Sequence, residues 1–135
     1  MNDCLFCKII AGEIPAQKVY EDEKVLAILD IKPVNPGHVL ILPKEHFADF
    51  LDTPPEVIEK MSEVAKKIAA ALKTSLRAEG FNITFNSGQA AGQVIFHTHM
   101  HVMPRFLGDG HELWQGQDYR LGEMEEIGEK IRKEL

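Results

Sequence analysis

The sequence predicts an α+β domain: an antiparallel sheet of about five strands, one long central helix and a C-terminal helix. Three observations lead there. Short apolar runs recur at residues 19–20, 25–30, 38–43, 81–85 and 94–103, punctuated by proline, glycine and asparagine. Residues 53–76 carry a clear helical periodicity, opened by a capping box. The turn joining the second and third runs is too short to hold a helical crossover, so that pair is expected to be antiparallel.

The elements follow in order. Cys4 to Ala11 fits a short helix, with Leu5, Phe6, Ile9 and Ile10 on one side and Gly12 at its end. Ile14-Pro15 is extended, because the residue before proline avoids the helical region. Val19-Tyr20 is a short strand, Glu21 to Lys24 a turn, and Val25 to Asp30 an apolar run of strand length. The loop from Lys32 to Gly37 leads into a strand from His38 to Pro43. His46 to Leu51 has room for one or two helical turns. In the long helix Thr53 is the expected N-cap, Pro54 suits the first turn and Glu56 completes the capping box. Val57, Met61, Val64, Ile68, Leu72 and Leu76 form its apolar stripe, and Gly80 is the expected stop. Glu59, Lys60, Lys66, Lys67 and Lys73 read as its solvated face. Phe81 to Phe85 alternates as a strand, and Asn86 to Gln93 is a loop of small and polar residues. Val94 to Met103 is the next strand, ended by Pro104. Residues 105–120 show little periodicity. Leu121, Met124, Ile127, Ile131 and Leu135 mark the C-terminal helix.

At 135 residues the chain is expected to be one domain, residues 1–135, with a core of its own. A formal net charge of −6 argues against a nucleic-acid-binding face, though a small anion could still sit in a local pocket. No apolar run reaches membrane-spanning length, so no membrane contact is expected. Met1-Asn2-Asp3-Cys4 has no basic stretch followed by an apolar one, so the protein reads as cytoplasmic. In that compartment the two cysteines are not expected to form a stable disulfide.

The chemistry concentrates in His97-Thr98-His99-Met100-His101-Val102-Met103. On a strand these three histidines would share one face, about 6–7 Å apart, twice the rise per residue. Thr98, Met100 and Val102 would then face the core. Three imidazoles in strict alternation leave little room for a packing role. They offer a nucleophile, a proton donor or a metal ligand near neutral pH. Neutral His99 can attack phosphorus. His101, on the same face, can protonate a leaving group or hold phosphoryl oxygens, and His38 can approach from a second strand. The loop from Asn86 to Gln93 can present backbone N–H groups to an anion. Cys4-Leu5-Phe6-Cys7 is a C-x-x-C pair without the strand–helix context of a redox site. A closed structural zinc site would need two more ligands, for which His46 and His97 are candidates. A pair of buried thiols is the plain alternative.

The motif resembles the H-φ-H-φ-H-φ-φ signature of the histidine-triad (HIT) superfamily, with Thr98 at a usually hydrophobic position. Residues 6–15 resemble the N-terminal segment of its Hint-like branch. Asp30, Pro36-Gly37-His38, Pro43 to His46, and Asn86 to Gln93 match as well. The similarity covers about residues 4–106, leaving 107–135 as a C-terminal extension. The resemblance implies a HIT-like fold and a hydrolase or transferase acting at the α-phosphate of purine nucleotides. The substrates it implies are adenosine phosphoramidates or adenylylated compounds, with AMP as a ligand. It implies that His99 is the nucleophile and forms a nucleotidyl-histidine, with His101 and His38 completing the catalytic set. Phe6, Ile9, Leu29, Asp30, Ile31, Asn86, Gly92, Gln93 and Val94 match the nucleotide-binding positions, with Asp30 at the ribose. Many relatives carry serine where this chain has Val94. The bacterial-type branch implies a structural Zn2+ on Cys4, Cys7, His46 and His97, no catalytic metal, and a homodimer. Trp114 could lie near the partner's site, whereas His111 has no motif support.

Other readings stay open at this point. The alternatives are a dinucleoside polyphosphate hydrolase of the same superfamily, or a nucleotide-binding or interaction module that no longer catalyses. A hydrolase with catalytic zinc on His97 and His99 would also need a further ligand that the motif does not supply.

Overall fold

The computed structural model describes residues 3–135. Met1 and Asn2, part of the stretch read for a leader, lie outside the described residues. Strands β1 (Lys18–Glu21), β2 (Val25–Leu29), β3 (Val39–Pro43), β4 (Gly80–Phe85) and β5 (Met100–Arg105) form one sheet in the order β1-β2-β3-β5-β4. Every pairing is antiparallel. Helix α1 (Leu5–Ile10) precedes the sheet, α2 (Pro55–Ser75) joins β3 to β4, and α3 (Glu123–Glu134) ends the chain.

The sheet is covered on both faces, which explains why β2 and β3 read as continuous apolar runs. Val25, Ala27, Val39, Ile41, Met100 and Val102 pack against Met61, Val64, Ala65, Ile68, Ala69 and Leu72 of α2. On the opposite face Leu26, Ile28, Leu40 and Leu42 pack against Phe6 and Ile9 of α1. The helix predicted over residues 53–76 is present, but its start differs. Pro54 is the cap residue, with the extended backbone that a following proline demands. Thr53 turns inward instead: its hydroxyl donates to the Asp49 carbonyl at 2.6 Å and lies 2.7 Å from the Thr98 hydroxyl. That pairing accommodates Thr98 at a usually hydrophobic position. The stop also differs. Arg77, not Gly80, takes the left-handed conformation (φ 57°) after the C-cap Leu76. Gly80 begins β4. Residues 46–51 form no helix but an irregular stretch, a bend and a turn, because Asp52 and Asp49 side chains accept the Ala48 and Asp52 N–H groups.

The histidine strand is shorter than expected and ends later. It starts at Met100, so His97 and His99 lie in the segment that approaches it. Extending the β3–β5 register, in which Met100 faces Ile41, would set Thr98 opposite Pro43. Proline has no N–H for the ladder. The Thr98 N–H donates to the Phe47 carbonyl at 2.7 Å instead. Pro104 does not end the strand. Its carbonyl accepts from Asn35 Nδ2, so this residue turns its backbone away from β4 and no ladder bond is lost. The C-terminal helix is present as expected. Its series Met124, Ile127 and Ile131 contributes no buried residue within the chain.

Candidate active site

The bend before β5 has a structural consequence. It sends the His97 ring away from its neighbours and towards α1. His97 Nε2 donates to the Pro43 carbonyl at 2.8 Å, so its lone pair is on Nδ1. That atom lies 3.5 Å from both Cys4 Sγ and Cys7 Sγ and 3.1 Å from His46 Nδ1. Cys7 Sγ is 3.3 Å from His46 Nδ1. Zn–S and Zn–N bonds in a tetrahedral site set S···N edges of about 3.6 Å and N···N edges of about 3.3 Å. The four donors therefore match the size and chemistry of a Cys₂His₂ zinc site, with a carbonyl partner orienting His97 from behind. Its burial pushes the His97 pKa down to about 4, which keeps the ring neutral, as a ligand must be. The four residues come from the start of the chain, the turn after β3 and the bend before β5. They could thus hold one ion that ties these segments together.

A cleft of about 320 Å³ opens beside this cluster. Its walls are apolar: Phe6 and Ile9 of α1, Ile14, Ile28, Leu29, Ile31, Leu40 and Ile95. Its polar lining includes Asp30, Asn86, His99 and His101, and Asp30 lies close enough to both histidines to act on them electrostatically. An apolar slot with a few convergent polar groups is the usual form of a small-molecule site.

Hydrogen bonds fix the proton on each imidazole. His99 Nδ1 is 2.8 Å from the His97 carbonyl, which can only accept, so Nδ1 carries the hydrogen and Nε2 keeps its lone pair. His38 Nδ1 accepts from the Val34 N–H at 3.1 Å. Its Nε2–H therefore donates to His101 Nδ1 at 2.9 Å. This leaves the hydrogen of His101 on Nε2, which is buried and has no partner among the described residues. Burial lowers the pKa values of His38, His99 and His101 first of all. For His101, reinforced by its neighbours His99 and His38, the value falls to about 4. Asp30 opposes the shift in all three, with Oδ2 lying 3.7 Å from His38 Nε2. At neutral pH the cluster is therefore uncharged. Asp30, His38 and His101 also form a second group of potential metal ligands. His38 and His101 already share a hydrogen between Nε2 and Nδ1.

Most of the residues singled out in the sequence converge here. Phe6, Ile9, Leu29, Asp30, Ile31, Asn86, Gly92, Val94, His99 and His101 line the cleft. Ile31 and Val94 stand at its mouth, 93% and 85% exposed. His38 is buried one step behind His101. Gln93 does not line the cleft. Its side chain is spent within the loop, accepting from the Gly88 N–H and donating to the Ala48 and Ile95 carbonyls. Ile14, Ile28, Leu40 and Ile95 escaped the sequence reading; the alternation in β2 and β3 could have assigned Ile28 and Leu40 to this face. Trp114 lies at a separate, shallower cleft with Asn82, Thr84 and Arg105.

The comparisons with known proteins agree with this geometry. A family model described as "HIT domain" matches residues 11–108. "Protein hit" of Bacillus subtilis is 42% identical over 138 residues, covering 99% of this chain and 95% of that protein. "Adenylylsulfatase HINT3" of Arabidopsis thaliana is 46% identical over 119 residues, covering 88% of this chain but 59% of the longer relative. A crystal structure of a zinc-bound histidine triad family protein from Mycobacterium smegmatis superposes with a TM-score of 0.79 at 44% identity, covering 98% of this chain and 92% of that one. With His99 and His101 lining an apolar cleft and these similarities along most of its length, the chain belongs to the HIT family.

Proposed function

We propose that this protein is a nucleotide hydrolase that acts at the α-phosphate of adenosine phosphoramidates or adenylylated compounds. The observation that carries the proposal is the His99 ring on the cleft wall, held by its Nδ1–H on the His97 carbonyl with Nε2 unprotonated. The purine lies in the apolar slot between Phe6, Ile9 and Leu29, and Asp30 accepts from the ribose hydroxyls. Asn86 and the backbone at Gly92 and Val94 complete the nucleotide contacts, and Gln93 supports them by shaping the loop.

Catalysis then follows from the proton arrangement. The Nε2 lone pair attacks phosphorus and forms an N–P bond while the bond to the leaving group breaks. The resulting positive ring is stabilised by the His97 carbonyl already bonded to Nδ1–H. His101 Nε2–H, buried without a partner among the described residues, donates to a phosphoryl oxygen or to the departing group. Water next attacks phosphorus and gives its proton to His101 Nε2, the N–P bond breaks, and its electron pair returns to His99 Nε2. The adenylylsulfatase relative supports adenylyl chemistry for this fold.

The Cys₂His₂ cluster would hold a structural Zn2+. Four protein ligands leave no open position, so its contribution is to hold the bend that carries His97 and His99. We also propose a cytoplasmic homodimer, with residues 107–135 as an extension beyond the catalytic unit. The dimer is supported by the exposed apolar side chains Phe81 and Ile83 on edge strand β4. No described helix is long and apolar enough to cross a membrane.

The test compares wild-type and His99→Ala proteins on an adenosine phosphoramidate and on a diadenosine polyphosphate. The proposal expects the higher kcat/KM on the phosphoramidate, and loss of turnover in His99→Ala with AMP binding retained. A preference for the dinucleotide would move the protein to the polyphosphate hydrolases. AMP binding without turnover of either would mark a binding module. Undiminished turnover by His99→Ala would overturn the mechanism.

A further inference from the structure

The hydrogen-bond chain that sets the proton on His101 does not end at His38. It continues to Val34, whose N–H donates to His38 Nδ1. Val34 sits in the loop before β3 with its side chain half-buried, and the segment after β5 holds its carbonyl. His111 Nε2 donates to the Val34 carbonyl at 2.8 Å. His111 is in turn anchored on Asp109: its backbone N–H donates to Oδ1 at 3.0 Å, and its carbonyl accepts from Arg105 Nη2 at 2.8 Å.

Asp109 is the hub of this arrangement. Its carboxylate, only 7% exposed, accepts from Arg105 Nε at 2.8 Å and Nη2 at 3.1 Å, from Asn35 Nδ2 at 3.0 Å, and from the Phe106 N–H at 3.2 Å. Asn35 also donates to the Pro104 carbonyl, and its own carbonyl accepts the His38 N–H. Asp109 thus grips the loop at two adjacent residues: through Asn35 directly, and through His111 on Val34. Sequence separation hides this contact, since Asn35 and Asp109 lie 74 residues apart.

We propose that Asp109 and His111 are positioning residues that set the proton arrangement of the His38–His101 pair. With Val34 held, its N–H occupies His38 Nδ1, so the His38 hydrogen must sit on Nε2 and the His101 hydrogen must face away from His38. With Val34 released, His38 is free to carry its hydrogen on Nδ1. His38 Nε2 then becomes an acceptor, His101 donates from Nδ1, and its Nε2 no longer holds a hydrogen to give. This proposal rests on the roles given above to His38 and His101.

The experiment uses zinc-loaded protein with ¹⁵N-labelled histidines. Two-bond ¹H–¹⁵N spectra at neutral pH report which nitrogen of each ring carries hydrogen. Wild type should show His38 and His101 as Nε2–H forms. His111→Ala, a change at an exposed site that leaves the core intact, should move part of the His38 signal to the Nδ1–H form. It should lower kcat about tenfold, the scale on which partners that orient an imidazole act, with KM within about twofold. Asp109→Asn should do the same. His111→Gln should restore both readouts, because the glutamine amide can donate at the reach of Nε2. Unchanged His38 tautomers in both His111→Ala and Asp109→Asn would overturn the proposal, as would a His111→Gln protein no better than His111→Ala. The spectra need no substrate. If the variants shift tautomers while wild type turns over no nucleotide, the positioning claim stands and the hydrolase assignment fails.

Discussion

Replacing Gly37 with alanine should destabilise the protein by about 2–3 kcal/mol, from two separable causes. Gly37 has φ 101°, in the left-handed half of the map, where an L side chain costs about 1–2 kcal/mol. A Cβ built there would meet Leu76 Cδ1 at 2.4 Å, Leu72 Cδ2 at 3.3 Å and Pro104 Cγ at 3.4 Å. The shortest of these is the cheapest to relieve, because Leu76 is 43% exposed and can swing into solvent. Leu72 is buried and must give a few tenths of an ångström, whereas Pro104 is at ordinary contact distance. The residual crowding should add about 1 kcal/mol, at the low end of overpacking costs. Thermal and urea unfolding of the zinc-loaded protein would measure the sum, with a fall in Tm of roughly 10 °C. In a Leu72→Ala background the same change should cost little more than the backbone part. Activity should fall too, since Gly37 directly precedes His38. A Gly37→Ala protein within about 0.5 kcal/mol of wild type would refute the reasoning. An equal cost in the Leu72→Ala background would refute the crowding component.

Other changes probe the remaining parts of the site. Cys7→Ser should weaken zinc at least about tenfold and lower Tm; unchanged metal content by elemental analysis would dismiss the four-ligand cage. Burial holds the His99 pKa below 6.5, so kcat/KM should stay level from about pH 8 to 6.5 and fall only below that. An acid limb centred above pH 7 would contradict a neutral, buried nucleophile. Stability follows the same sign. His101 titrates near 4 when folded and near 6.5 when unfolded, so the unfolded chain binds more protons between those values. Its contribution to stability is present above pH 6.5 and is lost as the pH falls towards 4, which a series of urea titrations would detect. Asp30→Asn should weaken AMP about tenfold and abolish any preference over 2′-deoxy-AMP, as expected for a charge-assisted bond to the ribose; calorimetry that finds the preference intact would remove Asp30 from the ribose.

Periodicity made the five strands, the long helix and the C-terminal helix legible, because each spacing reports a face that must be buried. Cys4, Cys7, His46 and His97 could be grouped because a C-x-x-C pair needs further ligands and the fold brings those histidines to it. The bend at His97 was not legible. It arises from Pro43, which comes alongside only once β3 and β5 have paired. The role of Gln93 was hidden for a similar reason, since its partners Gly88, Ala48 and Ile95 lie within and beyond its own loop. His111 carried no motif, because its partner is a backbone carbonyl whose identity leaves no trace in residue type. Even the capping box misled: Thr53 is the right residue for a cap, but Pro55 forces Pro54 to be extended and frees Thr53 to meet Thr98.

The central claim is that His99 becomes covalently linked to the nucleotide during turnover. Rapid, acid-free quenching of the protein with an adenosine phosphoramidate, followed by mass spectrometry with fragmentation, tests it most directly. A nucleotidyl group on His99, absent from His99→Ala, is the predicted result. Turnover with no adduct, or with the adduct on His97 or His101, would contradict it.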